Sequence, residues 1–375
     1  MRIAVISRVF SKAGGGAESY SVALVEQLAN RHDIHVFAQE SNRPVVGITY
    51  HRVACLSQRP RWLNQLLFAT VTWWQTRHGF DVVHSHENTW HGQIQTIHVR
   101  PLRLNLLGSR HGVGLALRWV KIALSPRLLT YLWLEGSRFK HQPLRHLVAA
   151  SDGLRCECEQ AYPASCSMLT VITPGAYPVV KHISRDAART QLQLPLGAPL
   201  LLFVANDYAR KGLDALLQAL SKLASDVQLA IVGHPTQIPR YRHQVEQLGL
   251  TGRVHFLGSL SELSPAYCAA DCLAHPTLED SFGMVVLEAM AHGLPVVVSG
   301  PQHCGISRQL QDRCQALFLA DPRDADVLAE RLRSVLDQPA LAAKLRVHAL
   351  AFAQAHTWQS VALQYEALYQ QASSP

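Results

Sequence analysis

Nowhere does this sequence carry an apolar run approaching the roughly 18–20 residues that cross a bilayer, which argues against a spanning helix. Its first residues, MRIAVISRVFSKAGGG, hold an apolar run too short for a signal-peptide core, so the expected location is the cytoplasm. The eight cysteines are scattered, and neither Cys156-x-Cys158 nor Cys268-x3-Cys272 has a second pair at zinc-site spacing. Reduced structural thiols are expected, not a metal cage. His86-Glu-Asn-Thr-Trp-His91 sets its histidines five apart, whereas the zinc-peptidase motif needs four on one helix face. A full G-x-G-x-x-G is also missing after the first apolar run, which weakens a dinucleotide-binding oxidoreductase reading. No solenoid repeat or low-complexity tract is present.

What is there is a chain of 375 residues, 48% of them apolar, long enough for two ordinary domains. The formal charge of +8 is unevenly spread: residues 1–175 hold 19 of the 35 Lys/Arg and 10 of the 27 Asp/Glu, leaving 16 and 17 for the rest. The excess peaks between Arg100 and Arg145, where nine Lys/Arg interleave with Trp119, Tyr131, Trp133 and many leucines, and Glu135 is the one acid. Such a stretch suits an anionic membrane surface or an anionic acceptor, with Arg118, Lys121 and Arg127 as contacts; a solvated basic helix face is the plain alternative. No nucleic-acid module fits, and no nucleic-acid partner is expected.

Hydrophobic periodicity reads as alternating strands and helices. Arg2–Ser7 is a short apolar run, Gly14-Gly15-Gly16 breaks it, and Ala17–Asn30 has helical spacing; strands at His35–Ala38, Asp81–His84 and Ile94–Val99 follow. After Pro178 the pattern restarts, with strands at Leu200–Val204, Gln228–Val232, Val254–Leu257, Cys272–His275 and Pro295–Val298. The expected fold class is α/β: two Rossmann-like domains with parallel sheets, residues 1–176 and 177–357, and a last helix over 358–371 that could pack back on the first. Ligands of such sheets sit beyond the carboxyl ends of the strands, so a cleft between the domains is the default site.

Pro276–Pro295 reads as a strand end, a polar loop and a helix starting near Phe282. The backbone N–H groups of Phe282, Gly283 and Met284 would be first-turn donors suited to a phosphate, flanked by the carboxylates Asp280 and Glu288. A second cluster is Asp207-Tyr-Ala-Arg-Lys-Gly212, where Arg210 and Lys211 follow the strand Leu200–Val204 and could meet charge on a departing diphosphate.

On these residues the chain resembles the retaining glycosyltransferases of family 4, whose GT-B fold pairs two Rossmann-like domains and whose second domain carries a Glu-x7-Glu signature. Within that family it looks most like the bacterial lipopolysaccharide-core glucosyltransferases, through the 207–214 run, Val171-Ile-Thr-Pro-Gly-Ala-Tyr-Pro178 and the signature region. The resemblance implies that Glu288 holds the ribose of the donor nucleotide, that Asp280 addresses the donor sugar, and that Arg210 and Lys211 bind the diphosphate. Asp280 departs from the family's glutamate and is shorter by one C–C bond, roughly 1.5 Å. Gly15 and Gly16 match the loop that approaches the diphosphate, and His98 the cleft histidine near the sugar. Implied too are a nucleotide-sugar donor, with UDP expected, a lipid-linked or polysaccharide acceptor, retained anomeric configuration, and no cofactor or metal. A non-catalytic nucleotide-sugar-binding protein and an epimerase or hydrolase of the same fold stay open as alternatives.

Overall fold

The computed structural model describes residues 1–11, 15–43, 45–55, 59–108, 112–179 and 183–373. The chain divides into two units, Met1–Pro174 with Trp358–Pro375, and Gly175–Thr357.

The first unit is built on a seven-stranded parallel sheet: β1 (Arg2–Ile6), β2 (Asp33–Ala38), β3 (Thr49–Arg52), β4 (Val82–Ser85), β5 (Ile94–Ile97), β6 (His146–Ala149) and β7 (Leu169–Val171). Their order is β3-β2-β1-β4-β5-β6-β7. Ile3 to Ile6 and Ile34 to Ala38 are buried continuously, as expected where helices cover both faces of a sheet. The helices are α1 (Gly16–Leu28), α2 (Arg61–Thr76), α3 (Leu102–Leu107), α4 (Gly112–Ala123), α5 (Pro126–Phe139) and α6 (Asp152–Ala161). Glu135 caps α3 from across the unit: its carboxylate accepts the backbone N–H of Leu102 at 2.6 Å and of Arg103 at 3.0 Å.

The second unit has a six-stranded parallel sheet: β8 (Leu200–Val204), β9 (Gln228–Val232), β10 (Val254–Gly258), β11 (Cys272–His275), β12 (Val296–Ser299) and β13 (Leu317–Leu319), in the order β10-β9-β8-β11-β12-β13. Its helices α7 to α13 are Arg185–Gln191, Leu213–Leu220, Ile238–Gln247, Ser264–Ala269, Met284–Ala291, Ala325–Asp337 and Pro339–Ala355. Strand alternation divides the core. Leu201, Phe203, Leu229 and Ile231 face α8 and α12, while Leu200, Leu202, Ala230 and Val232 face Val286, Leu287 and Met290 of α11. Each such aliphatic side chain contributes about 1.5–3 kcal/mol of burial, which fixes α11 rigidly against the sheet.

In both sheets the order in which strands are added reverses once, between β1 and β4 in the first unit and between β8 and β11 in the second. Loops leaving adjacent strands at such a switch point diverge and leave a crevice. The last helix, α14 (Trp358–Ser373), belongs to the first unit. Tyr365 shares a hydrogen bond with Tyr20 at 2.9 Å, the Tyr369 hydroxyl meets His84 Nδ1 at 2.8 Å, and Glu366 meets Arg31 and His32 at 2.7 Å each.

Candidate active site

In the second unit, β8 and β11 lie side by side in parallel, with Leu201 opposite Cys272 and Leu202 opposite Leu273. The loops 205–212 and 276–283 therefore emerge together. They are stitched by backbone: Leu278 N–H donates to the Arg210 carbonyl at 2.9 Å, and Gly212, at φ +82°, passes so close to Pro276 that a Cβ would lie 1.9 Å from its carbonyl oxygen. Only glycine meets both conditions.

That stitching brings Lys211 and Asp280 into contact. Lys211 Nζ lies 2.5 Å from Asp280 Oδ2 and donates to the Glu279 carbonyl at 3.1 Å. His275, the last residue of β11 and 1% exposed, places Nε2 3.2 Å from the same Oδ2. Phe282 N–H donates to Oδ1 at 3.2 Å. Burial alone would raise the Asp280 carboxyl, but the bond from His275 and the charge of Lys211 outweigh it and hold the group well below the usual carboxylate range. Burial pushes the His275 imidazole down despite Asp280. A neutral ring facing an ionised carboxylate must carry its proton on Nε2, which leaves Nδ1 as a buried atom without a partner among the described residues.

Asp280 therefore arrives with Oδ2 filled by two donors and a single lone pair left on Oδ1. Its main role in this geometry is to hold Lys211. Arg210 differs: its side chain is 56% exposed and only 3.8 Å from Asp207, so it is free to turn toward a ligand.

The helix start is a correction to the sequence reading. Helix α11 begins at Met284, not near Phe282, because Gly283 adopts φ +100° and ends the loop. Phe282 is consequently not an anion donor: its N–H is committed to Asp280 and its ring is buried in the core. The N–H groups of Gly283, Met284 and Val285 have no acceptor among the described residues. Glu288 sits one turn further along α11 and accepts the Tyr267 hydroxyl at 2.7 Å on Oε2. Burial raises its pKa, opposed by that hydrogen bond.

In the first unit, Gly15 is the N-cap of α1 and Gly16 its first residue, with the Gly15 carbonyl accepting Ser19 N–H at 3.0 Å. Gly14 lies outside the described residues. Gly15 has φ −78°, open to any residue, so its need for glycine does not come from backbone conformation. His98 follows β5 and contacts His86 Nδ1 through Nε2 at 3.0 Å, with the rings stacked; the His86 ring lies 4.3 Å from that of His84. Burial, with Arg138 adding to it, pushes His98 down to about 3, so it is neutral in use. Among the described residues no group of His, Cys, Asp or Glu could hold a metal ion.

Sequence reasoning missed His275 and Tyr267, which orient the two carboxylates. A histidine ending a central strand beside the switch point was the available signal for the first. Tyr267, on a neighbouring helix, had none.

Residues 14–178 match the family described as Glycosyltransferase Family 4, and residues 184–350 match Glycosyl transferases group 1. The chain belongs to the family 4, group 1 glycosyltransferases. This glycosyltransferase is 29% identical over 228 residues to the lipopolysaccharide glucosyltransferase WaaG of Escherichia coli K12, covering 58% of this chain and 60% of that one. It is 32% identical over 247 residues to a D-inositol 3-phosphate glycosyltransferase of Xylanimonas cellulosilytica, covering 60% and 58%. The matches thus span about 60% of the length of these curated relatives. Among solved structures, WaaG, a glycosyltransferase involved in lipopolysaccharide biosynthesis, has TM-score 0.83 at 21% identity over 97% of this chain and 98% of that one. Anabaena HepE in complex with UDP-glucose has TM-score 0.76 at 18% identity over 99% and 100%. These two establish the shared GT-B fold.

Proposed function

We propose that this glycosyltransferase moves a hexose, glucose or a close relative, from a UDP-linked donor to a hydroxyl of a lipopolysaccharide-core or other surface-glycan acceptor, with retained anomeric configuration. The carrying observation is the Lys211–Asp280–His275 cluster beside an α11 start whose first amides are uncommitted, with Glu288 one turn beyond. The names of WaaG and of the HepE complex support the choice of sugar and nucleotide.

In this reading the diphosphate lies on the N–H groups of Gly283, Met284 and Val285, where the helix dipole adds to the hydrogen bonds. As the glycosidic bond breaks, charge grows on the leaving phosphate. Lys211, already oriented, and the mobile Arg210 meet that charge more strongly in the transition state than in the ground state. Glu288 accepts the ribose hydroxyls on Oε1, with Oε2 fixed by Tyr267. The remaining lone pair of Asp280 Oδ1 is available to one sugar hydroxyl. Gly15 and Gly16 let their loop approach the diphosphate, and His98 offers a neutral imidazole to a sugar hydroxyl. No protein nucleophile is used; a donor phosphate oxygen takes the acceptor proton on the same face. Arg210, Lys211 and the helix end supply the positive charge, so no metal is needed.

We place the enzyme at an anionic membrane surface on the cytoplasmic side. Helices α4 and α5 and the turn between them expose Leu117, Trp119, Val120, Leu124, Leu129 and Trp133, with Arg118 and Lys121 among them. No helix among the described residues is long and apolar enough to cross a membrane.

The test is release of the nucleoside diphosphate from a panel of UDP-, GDP- and ADP-sugars, with and without membrane-derived acceptor, in the presence of EDTA. The expected result is acceptor-dependent turnover of a UDP-hexose that survives EDTA. Turnover independent of acceptor would point to a hydrolase or epimerase, and binding without turnover to a non-catalytic module.

A further inference from the structure

The first unit holds a cavity of about 1080 Å³ that the donor reading leaves unused. Its wall combines the start of α2, the segment after β4, the residues after β5, and one face of α5, on which Arg127, Tyr131 and Glu135 recur every four residues. It therefore opens beyond the carboxyl ends of two central strands, the ordinary ligand position in a parallel sheet.

Its charge is lopsided. Arg59, Arg61, Arg100 and Arg127 all line it, and Glu135 is the single acid. That acid is spent, since its carboxylate accepts two α3 amides and the Tyr162 hydroxyl at 2.9 Å. Arg100 is engaged by Glu157 at 3.3 Å. Arg61 and Arg127 have no acidic partner among the described residues. Between them lie Trp62 and Tyr131, flat surfaces of the size of a sugar ring. Asn88 lines the same wall beside Tyr131, to whose carbonyl its amide nitrogen donates at 3.5 Å.

We infer that this cavity binds a phosphorylated sugar of the acceptor, with Arg61 and Arg127 holding the phosphate and the ring lying against Trp62 and Tyr131. A neutral glycan would leave the guanidinium groups without a counter-charge in a partly enclosed space. A phosphate matches their planar, two-pronged donors. Because Val99 and Arg100 directly follow His98, the same chain segment carries the proposed donor-side histidine and the acceptor wall. The inference rests on the transferase reading only for the word acceptor; the pocket's preference for phosphate stands apart from it.

The experiment is calorimetry on the full chain with mannose 6-phosphate, mannose and glucuronate as probes, repeated on Arg61→Gln/Arg127→Gln and on the charge-keeping Arg61→Lys/Arg127→Lys, with UDP titrated in parallel. Mannose 6-phosphate should bind at least about tenfold more tightly than mannose and more tightly than glucuronate. The Gln pair should lose that advantage and the Lys pair should restore part of it, with UDP binding unchanged in both and tryptophan fluorescence, which reports the first unit, unchanged as well. Equal binding of phosphorylated and neutral sugar, or no effect of the Gln pair, overturns the inference. Displacement of mannose 6-phosphate by phosphatidylglycerol vesicles, absent with phosphatidylcholine, would also overturn it, by assigning the pocket to a lipid headgroup. Phosphate-selective binding in a chain that binds no UDP would sink the transferase reading and leave the pocket standing.

Discussion

The two units carry similar sheets but handle charge in opposite ways. In the second, Lys211 is anchored by Asp280 and Glu288 by Tyr267, so these two are set before any ligand arrives. In the first, Arg61 and Arg127 line a cavity without acidic partners among the described residues, while α4 and α5 show apolar side chains to solvent. Preorganisation is what chemistry on a fixed donor requires, because donors already in place cost no reorganisation as charge develops. Unpaired charge and exposed apolar surface suit a partner that varies and brings its own charge.

Acid should separate the units most strongly. In the first unit burial holds His84, His91 and His98 at about 3 and also lowers His51, His86 and His146; among the described residues of the second, only His255 and His275 are lowered. A histidine with a depressed folded pKa is neutral in the fold and protonated when unfolded between the two values. Unfolding then takes up protons, and stability is lost as pH falls from about 6.5 toward about 3. Asp280, held below the usual range, stays ionised in the fold through that window, and its contribution is lost as pH falls through the ordinary aspartate value of 3.8 and below. All seven tryptophans lie in the first unit, so their fluorescence reports that unit alone. On acidification from pH 7 to 4 the tryptophan signal should change while much of the far-ultraviolet dichroism persists. Coincident transitions would remove this contrast.

A smaller effect sharpens the comparison at the surface. Trp119→Ser/Leu124→Ser should weaken binding to phosphatidylglycerol vesicles by roughly tenfold, and raising salt should weaken it further, because partitioning needs both apolar area and attraction to anionic lipid. Binding unchanged in the variant and insensitive to salt would remove α4 and α5 from the membrane account.

The fold was legible where strands are continuous apolar runs. Leu200–Val204, Gln228–Val232 and Cys272–His275 stand in the structure as read from periodicity. The polar edge strand Thr49–Arg52 and the three-residue strands β7 and β13 were not read, since they are too short or too polar for alternation to show, and the four-residue strand β6 (His146–Ala149) was missed as well. The segments of the donor site were visible as motifs, but their pairing was not. Lys211 and Asp280 are 69 residues apart and meet only because β8 and β11 are neighbours. The helix start was misplaced for a local reason: Gly283 looked like a first-turn residue, whereas its left-handed backbone ends the loop.

The central claim is that Asp280 acts through Lys211 on the departing diphosphate, and a double-mutant cycle on UDP-hexose transfer tests it most directly. Lys211→Ala should lower kcat by roughly 10²–10³-fold with a modest change in KM. Asp280→Asn should cost nearly as much, and the double variant little more than either alone. Losses that multiply would contradict the coupling, and a Lys211→Ala enzyme with unchanged turnover would contradict the account as a whole.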